Sequence, residues 1–370
     1  MRKTWLLGVA LCACSAGVSL AQDTPPPDTP PPETPPPPEA PAATGGAGTY
    51  FNPSIAVIGN FLGVAGNNDT ENLPAASLRE SEISFQAVVD PYGRGDFFVS
   101  VGEDGAELEE GTLTFTALPW GLLAKVGRMR VPFGKINPLH GHVLPWPDEP
   151  LPLVNLLGGE EGWVGDGGSI GKLFALPADI ASEATLAVFN GESEGLFTTP
   201  ESQREVAYLG RLRFFRDLVE STNLDLGLSY GGGPNGLTDT SDTTLHGVDA
   251  TLRWKPLRTA TYRSAMLRAE AIWSRRDDLL ATQEANGWFA SAEYQFLKRW
   301  FAGARYERSD HADDASLQDR GVAALVTFWP SEFSQLRAEA RRRSYANGET
   351  ADEILLQVQF AIGAHGAHPF

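Results

Sequence analysis

Two histidines separated by a single glycine are the first candidates for chemistry in this sequence. The stretch HGH places His140 and His142 on one side of the backbone if the chain is extended there, and acidic residues follow a few positions later. Imidazole and carboxylate groups together are ligands for divalent transition metals. A metal site needs three or four convergent ligands, so we expect polar loop residues or hydrogen-bond donors here, with no metal and no cofactor.

Arginine recurs at alternate positions in several stretches. In QLRAEARRR, Arg337, Arg341 and Arg343 share one face of an extended chain. Guanidinium groups stay charged at physiological pH, and rows of charged side chains in a narrow pore set its ion preference. We expect a pore wall formed by Arg211, Arg213, Arg253, Arg305, Arg337, Arg341 and Arg343.

Residues 135–166 contain carboxylates that could face this arginine wall. Their sequence, KINPLHGHVLPWPDEPLPLVNLLGGEEGWVGD, is too rich in Trp, Leu and Val for a disordered segment. We expect it to fold against another part of the molecule and to form a constriction with Asp148, Glu149, Glu160, Glu161, Asp166, His140 and His142. Carboxylates on one side and guanidinium groups on the other would create a field across the pore. In the alternative interpretation, these charges pair with each other and only solvate a wide lumen.

These residues must be positioned by strands, because polar and apolar residues alternate with period two from Ser54 onward. In GVDATLRWK, apolar residues at even positions from 248 to 254 alternate with polar residues at odd positions. We identify sixteen such stretches up to residue 363, joined by alternating short and long connections, with Trp near strand ends. The sequence therefore predicts an all-β fold: a closed antiparallel transmembrane β-barrel of about 16 strands over residues 50–370.

The region before the barrel predicts export. Arg2 and Lys3 precede an apolar core, and small residues suit cleavage after Ala21, so residues 1–21 read as a signal peptide. A lipoprotein signal at Cys14 is the alternative. Residues 22–49 form an acidic Pro-rich linker, which should be extended. The formal net charge of −18 at pH 7 argues against nucleic acid as a partner. We expect the protein in the bacterial outer membrane.

Two stretches carry a resemblance to a known family. KVGRMRVPFGKIN (125–137) and the closing GAHGAHPF resemble segments of bacterial porins, in particular the phosphate-selective porin family and related porin-like barrels. The resemblance implies that the loop between strands 5 and 6 folds into the barrel and narrows it, and that the protein forms a homotrimer. The final Phe370 resembles the signal that outer-membrane proteins present to the barrel-assembly machinery.

The expected function is a water-filled pore, without enzymatic activity, for passive diffusion of small polar solutes or ions through outer-membrane lipid. The stretch SDH at 309–311 cannot form a catalytic triad by sequence order alone. Because lysine is scarce, the pore is expected to be non-specific or weakly cation-preferring. Two alternatives remain open: an anion (phosphate)-selective porin, and a structural barrel whose Pro-rich segment contacts periplasmic partners.

Overall fold

The computed structural model describes residues 53–102, 105–190, 193, 195–198, 205–238 and 240–363. The predicted signal peptide (1–21), the Pro-rich linker (22–49) and Phe370 lie outside the described residues.

Sixteen strands close into one barrel in which each strand pairs with its neighbours in sequence. All pairs are antiparallel, and β1 pairs with β16 to complete the closure, with Asn60 opposite Gln359. The prediction of a closed sixteen-stranded barrel is confirmed. The strands are β1 (Ser54–Asn67), β2 (Ala76–Asp90), β3 (Gly93–Gly102), β4 (Gly105–Phe115), β5 (Leu122–Arg130), β6 (Val164–Leu176), β7 (Ile180–Asn190), β8 (Val206–Val219), β9 (Thr222–Pro234), β10 (Asp242–Trp254), β11 (Ser264–Asp277), β12 (Thr282–Leu297), β13 (Trp300–Asp310), β14 (Gln318–Ser331), β15 (Ser334–Ser344) and β16 (Thr350–Gly363).

The outer face of the barrel is apolar and the inner face is largely polar. Leu186, Leu356 and Ile362 point outward and are 65%, 54% and 61% exposed, whereas charged residues such as Glu82 and Arg305 point inward and are buried. Successive side chains in a strand point to opposite faces, so the period-two pattern produces this division directly. An apolar band around a closed barrel is suited to contact with lipid chains.

The connections differ in length between the two ends of the barrel. The short connections 91–92, 220–221, 298–299 and 332–333 lie at one end, and the longer connections 68–75, 191–205, 235–241 and 311–317 lie at the other. Trp254 and Trp300 lie at the first end, and Trp273 pairs with His246 toward the second. Aromatic residues near both ends are typical of a barrel that meets two membrane interfaces.

The longest connection runs from β5 to β6 and lies inside the barrel. It covers residues 131–163, hereafter the inward segment, and contains the helix α1 (Leu151–Leu156). Pro132 lacks an amide hydrogen, so strand pairing ends just before it. α1 packs against β11, β12, β13 and β14. In the described part of the chain, no helix is long and apolar enough to cross a membrane.

An apolar core joins the inward segment to the barrel wall. Trp146, Trp163 and Leu157 are buried, together with inward-facing residues of the strands such as Leu245 and Ile272. The strands turn apolar residues inward where the inward segment packs, because an apolar segment needs an apolar surface to cover. The inward-facing apolar residues of β7–β14 in this core are Ala187, Phe189, Ala207, Leu209, Leu245, Ile272, Ala285, Phe289 and Leu325.

Candidate functional site

The inward segment enters the barrel through a turn fixed by two strands. Gly134 has a φ of +62°, and a Cβ at this position would collide with the carboxylate of Glu270 on β11. The same carboxylate accepts the backbone N–H of Lys135 at 3.1 Å and of Ile136 at 3.3 Å. The Lys135 ammonium binds Asp225 on β9. These contacts direct the chain into the lumen.

Two indole rings hold the inward segment in place. Trp146 packs edge-on against Phe289 on β12, with ring centroids 5.3 Å apart, and the guanidinium of Arg305 lies 4.9 Å from the Trp146 centroid. Trp163 packs against Phe197 with centroids 5.0 Å apart. Truncation of a buried aromatic side chain costs about 3–5 kcal/mol, so these contacts are a large part of the attachment.

Asp148 is the centre of an ion-pair cluster. Arg305 on β13 donates to both of its carboxylate oxygens at 2.8 Å. Arg341 and Arg343 on β15 donate to its Oδ2 at 2.9 and 2.6 Å. Burial alone would raise the pKa of Asp148, but the three guanidinium groups hold this pKa below its ordinary value. The three guanidinium groups therefore favour the charged form of Asp148.

Carboxylates from the wall and from an outer loop complete this group. Glu307 on β13, Glu353 on β16 and Glu71 in the 68–75 connection pair with the same arginines. We call this set the Asp148 cluster: Asp148, Glu71, Glu307, Glu353, Arg305, Arg341 and Arg343. The three guanidinium groups are 0–4% exposed. The predicted field across an open lumen is wrong for these residues, because Trp146 and α1 bring Asp148 into direct contact with the arginines.

His140 lies among three carboxylates, so here a basic residue of the inward segment meets acidic partners, the reverse of the Asp148 cluster. Its Nδ1 is 2.8 Å from Glu109 and 2.9 Å from Glu82, and its Nε2 is 2.9 Å from Glu110. Burial alone would lower the pKa of His140, but hydrogen bonds to Glu109 and Glu110 raise this pKa well above its ordinary value. The surroundings of this ring therefore favour positive charge.

His142 extends the same group. Its Nδ1 lies 3.1 Å from Glu80 and 3.6 Å from Glu82, and the two imidazole centroids are 5.7 Å apart. We call this set the His140 cluster: His140, His142, Glu80, Glu82, Glu109 and Glu110. The two rings do lie close together, but residues 141–143 form a short 3-10 helix and not the extended chain on which the prediction rested. The structure adds four carboxylates that sequence reasoning missed.

Two β-bulges explain how so many charged residues reach one place. Glu110 pairs with Phe98, and Leu108 pairs with the next residue of β3, so Glu109 is an extra residue in β4. Arg79 is likewise an extra residue in β2 opposite β1. A bulge lets two successive residues contribute to one face of a strand. Alternation alone would send one member of each charged pair toward lipid.

The other predicted constriction residues separate into two groups. Glu149 and Glu160 line the lumen, and burial raises the pKa of Glu149 to about 7. Glu161 lines the middle cavity as well, and its backbone oxygen accepts a hydrogen bond from Arg130. Asp166 does not belong to the constriction: β6 already begins at Val164, and alternation turns Asp166 outward, where its side chain is 51% exposed.

The predicted arginine wall is present but mostly paired. Arg211 lies 2.8 Å from Asp249, and Arg213 lies 2.6 Å from Asp225. Asp225 lies on the neighbouring strand β9 and Asp249 one strand further, on β10, so these partners could be found only once the register is known. Two of the predicted wall arginines, Arg253 and Arg337, line a cavity at the end with short connections.

Three cavities follow the inward segment through the lumen. An outer cavity of about 360 Å³ and a middle cavity of about 180 Å³ share Arg79, Asp148, Glu149 and Glu160. A lower cavity of about 650 Å³ lies at the end with short connections, beneath His142 and Val143. The inward segment therefore has open space on both of its sides, and charged side chains are among the residues that line it.

No catalytic arrangement emerges from the serine-containing stretches. The pattern G-x-S-x-G occurs at 167–171 and 227–231, but both stretches lie within β6 and β9. A nucleophile elbow requires a sharp strand-to-helix turn, which an extended strand does not provide. His311 pairs with Asp319 at 2.9 Å in the outer-loop region.

Comparisons with known proteins agree with the fold. No protein-family model matches the chain. An uncharacterized protein of Aquifex aeolicus is 27% identical over an alignment of 341 residues that covers 80% of this chain and 70% of that protein. Similar solved structures include OprB of Pseudomonas putida (TM-score 0.59, 11% identity) and an anion-selective porin from Comamonas acidovorans (0.58, 10%). The structure of OmpT of Vibrio cholerae in its trimer form has a TM-score of 0.56 and 9% sequence identity.

These alignments cover 84% of this chain and 94%, 99% and 99% of the three structures, respectively. At such identities the likeness is one of fold. The chain has the porin-like barrel fold of outer-membrane proteins, and the phosphate-selective detail remains a prediction.

Proposed function

We propose that this protein is an outer-membrane porin that lets small polar solutes or ions diffuse passively through a pore narrowed by the inward segment. One observation carries the proposal: a closed barrel with an apolar outer face encloses a segment that leaves cavities with charged lining residues on both of its sides. Solutes would pass from the outer to the middle cavity beside Asp148 and Glu149, and then to the lower cavity.

The charges along this route favour a weak preference for cations at the narrow part. Six acidic and two basic side chains line the middle cavity, so anions meet a net negative surface there. These side chains are Glu80, Glu109, Asp148, Glu149, Glu160, Glu161, Arg79 and Arg130.

A second candidate, an anion-preferring pore, is favoured by the lower cavity. Four basic and two acidic side chains line it: Arg253, Lys255, Arg268, Arg337, Glu293 and Glu332. Because the lower cavity is the larger one, each of its charges acts on a passing ion across more water than in the middle cavity. We therefore assign the dominant preference to the middle cavity.

Planar-bilayer recording tests both parts of the proposal. The purified protein is expected to give stable single-channel steps, with a reversal potential of cation-selective sign under a KCl gradient. A reversal potential of the opposite sign would favour the anion-preferring pore. Insertion without conductance would favour the structural barrel.

The proposal also covers the export, the membrane assembly and the oligomeric state of the protein. We infer export by the 1–21 segment, assembly by the barrel-assembly machinery through Phe370, and a homotrimer in outer-membrane lipid. The trimer is supported by the shared fold with OmpT of Vibrio cholerae, which is described in a trimer form. Light scattering of the detergent-solubilised protein would contradict the trimer if it gave the mass of one chain.

A further inference from the structure

The geometry of the His140 cluster points to a binding site for a divalent transition-metal ion, and we propose that Glu80, Glu82, Glu109 and His140 are its ligands. One side-chain donor atom from each of these residues lies within 4.8 Å of the other three. Three come from strands β2 and β4, and the fourth comes from the inward segment. The site is independent of the proposed pore function, because it needs only the folded barrel.

The strongest support for a cation site is the carboxylate of Glu82. Its side chain is 0% exposed, and neither of its oxygens has a directed hydrogen bond from any residue in the described part of the chain. Its Oε2 is 2.9 Å from Nδ1 of His140, but this nitrogen also lies 2.8 Å from Glu109. One N–H cannot point at two oxygens, whereas a metal ion satisfies every donor around it.

The donor spacing suits a transition metal. Metal–ligand bonds of about 2.0–2.2 Å place adjacent donors of an octahedron roughly 3 Å apart and opposite donors roughly 4.2 Å apart. The 2.8 and 2.9 Å separations around Nδ1 of His140 match adjacent positions. Three carboxylate oxygens and one imidazole nitrogen form a mixed donor set that Zn²⁺ and Mn²⁺ accept.

Glu110 is placed to orient the histidine ligand. Its Oε1 lies 2.9 Å from Nε2 of His140, and its other oxygen lies 3.2 Å from Nζ of Lys125. When the metal binds, Nδ1 of His140 releases its proton while Nε2–H donates to Glu110, so that the lone pair of Nδ1 faces the three ligand carboxylates. A carboxylate that fixes the tautomer of a ligating histidine is a common feature of metal sites, and its removal lowers metal affinity by roughly 10–100-fold. Glu110 is thus a positioning residue.

Titration calorimetry with ZnCl₂ and MnCl₂ tests the site on the full-length barrel in detergent after treatment with a chelator. We expect one ion per chain, at least a tenfold loss of affinity for Glu82→Gln and for His140→Gln, and a smaller loss for Glu110→Gln. Matched controls are Glu284→Gln and His246→Gln, which change outward, exposed side chains and should leave the affinity unchanged. No binding by the wild type, or equal affinity in the ligand variants and controls, would overturn the proposal.

A second measurement keeps the test decisive if a ligand variant fails to fold. X-ray absorption at the zinc edge of the loaded wild-type protein should show oxygen and nitrogen neighbours with the multiple scattering of one imidazole. A spectrum without imidazole scattering would exclude His140 as a ligand and overturn the proposal without any substitution.

Discussion

The inward segment is attached by two charged clusters of opposite design. In the Asp148 cluster, a single carboxylate of the segment meets three arginines of the wall. In the His140 cluster, the segment contributes imidazole groups and the wall contributes four carboxylates. The first cluster is built on guanidinium groups, which stay charged at physiological pH, and the second on imidazole and carboxylate groups, which are also ligand types for divalent transition metals.

The Asp148 cluster is a fixed attachment of the inward segment, and the His140 cluster is an adjustable one. A buried ion pair adds little net stability compared with an apolar pair, but removal of one partner is strongly destabilising because the other charge is left buried alone. Asp148 has saturated contacts, whereas Glu82 lacks directed hydrogen bonds from the described residues. We therefore expect the two clusters to respond differently when a carboxylate is neutralised.

The largest effect is expected for Asp148→Asn. Loss of this carboxylate leaves three buried guanidinium groups without their shared partner, which should lower the free energy of unfolding by about 3–5 kcal/mol. The released segment should also give noisier and larger single-channel steps. Urea unfolding followed by tryptophan fluorescence measures the first effect, and bilayer recording measures the second.

Asp166→Asn is the matched control for that substitution. Asp166 is a half-exposed outward residue 3.6 Å from Arg128, and exposed ion pairs contribute about 0–1 kcal/mol. Equal destabilisation by the two substitutions would contradict the role of Asp148 as a fixed attachment.

A smaller effect is expected for Glu82→Gln without added metal. The substitution removes one of four neighbouring carboxylates and leaves the others around His140, so the free energy of unfolding should change by less than about 1 kcal/mol. The same urea titration measures it. A loss as large as that of Asp148→Asn would show that the two clusters do not differ as described.

The smallest effect concerns Glu149, which lies next to Asp148 and faces the middle cavity. Burial raises its pKa to about 7, so its ionised fraction should increase from roughly 10% at pH 6 to roughly 90% at pH 8. The added negative charge should strengthen the cation preference as the pH rises. Reversal potentials at the two pH values measure this change, and Glu149→Gln should reduce it; an unchanged pH response in the variant would assign it to another group.

The positions of the strands could be predicted from the sequence, but the residues that pack against them inside the barrel could not. Alternation located β10 and β16 because each residue there has one clear preference for lipid or lumen. It could not reveal the apolar inward residues Leu245 and Ile272, because they are explained only by the segment packed against them. An isolated apolar residue on a polar face is the signal that could have indicated this contact.

The same limit applies to the site residues. Arg341 and Arg343 were identified from their spacing, but their distance from Asp148 depends on how Trp146 packs. Glu109 was missed because a bulge changes which face it occupies, and a bulge arises from pairing with the neighbouring strand. The spacing of Glu80 and Glu82 in RESEIS did place both on one face and could have indicated an acidic wall opposite the HGH stretch.

Thiol labelling of Glu160→Cys tests most directly whether the inward segment lines a conducting path. Both native cysteines, Cys12 and Cys14, lie in the predicted signal peptide, so the introduced thiol would be the reactive one. Glu160 lines the outer and middle cavities, and the outward Glu284→Cys serves as the control. We expect a positively charged thiol reagent to reduce both single-channel conductance and cation preference in Glu160→Cys alone. Complete labelling that leaves the conductance and reversal potential unchanged would contradict this account.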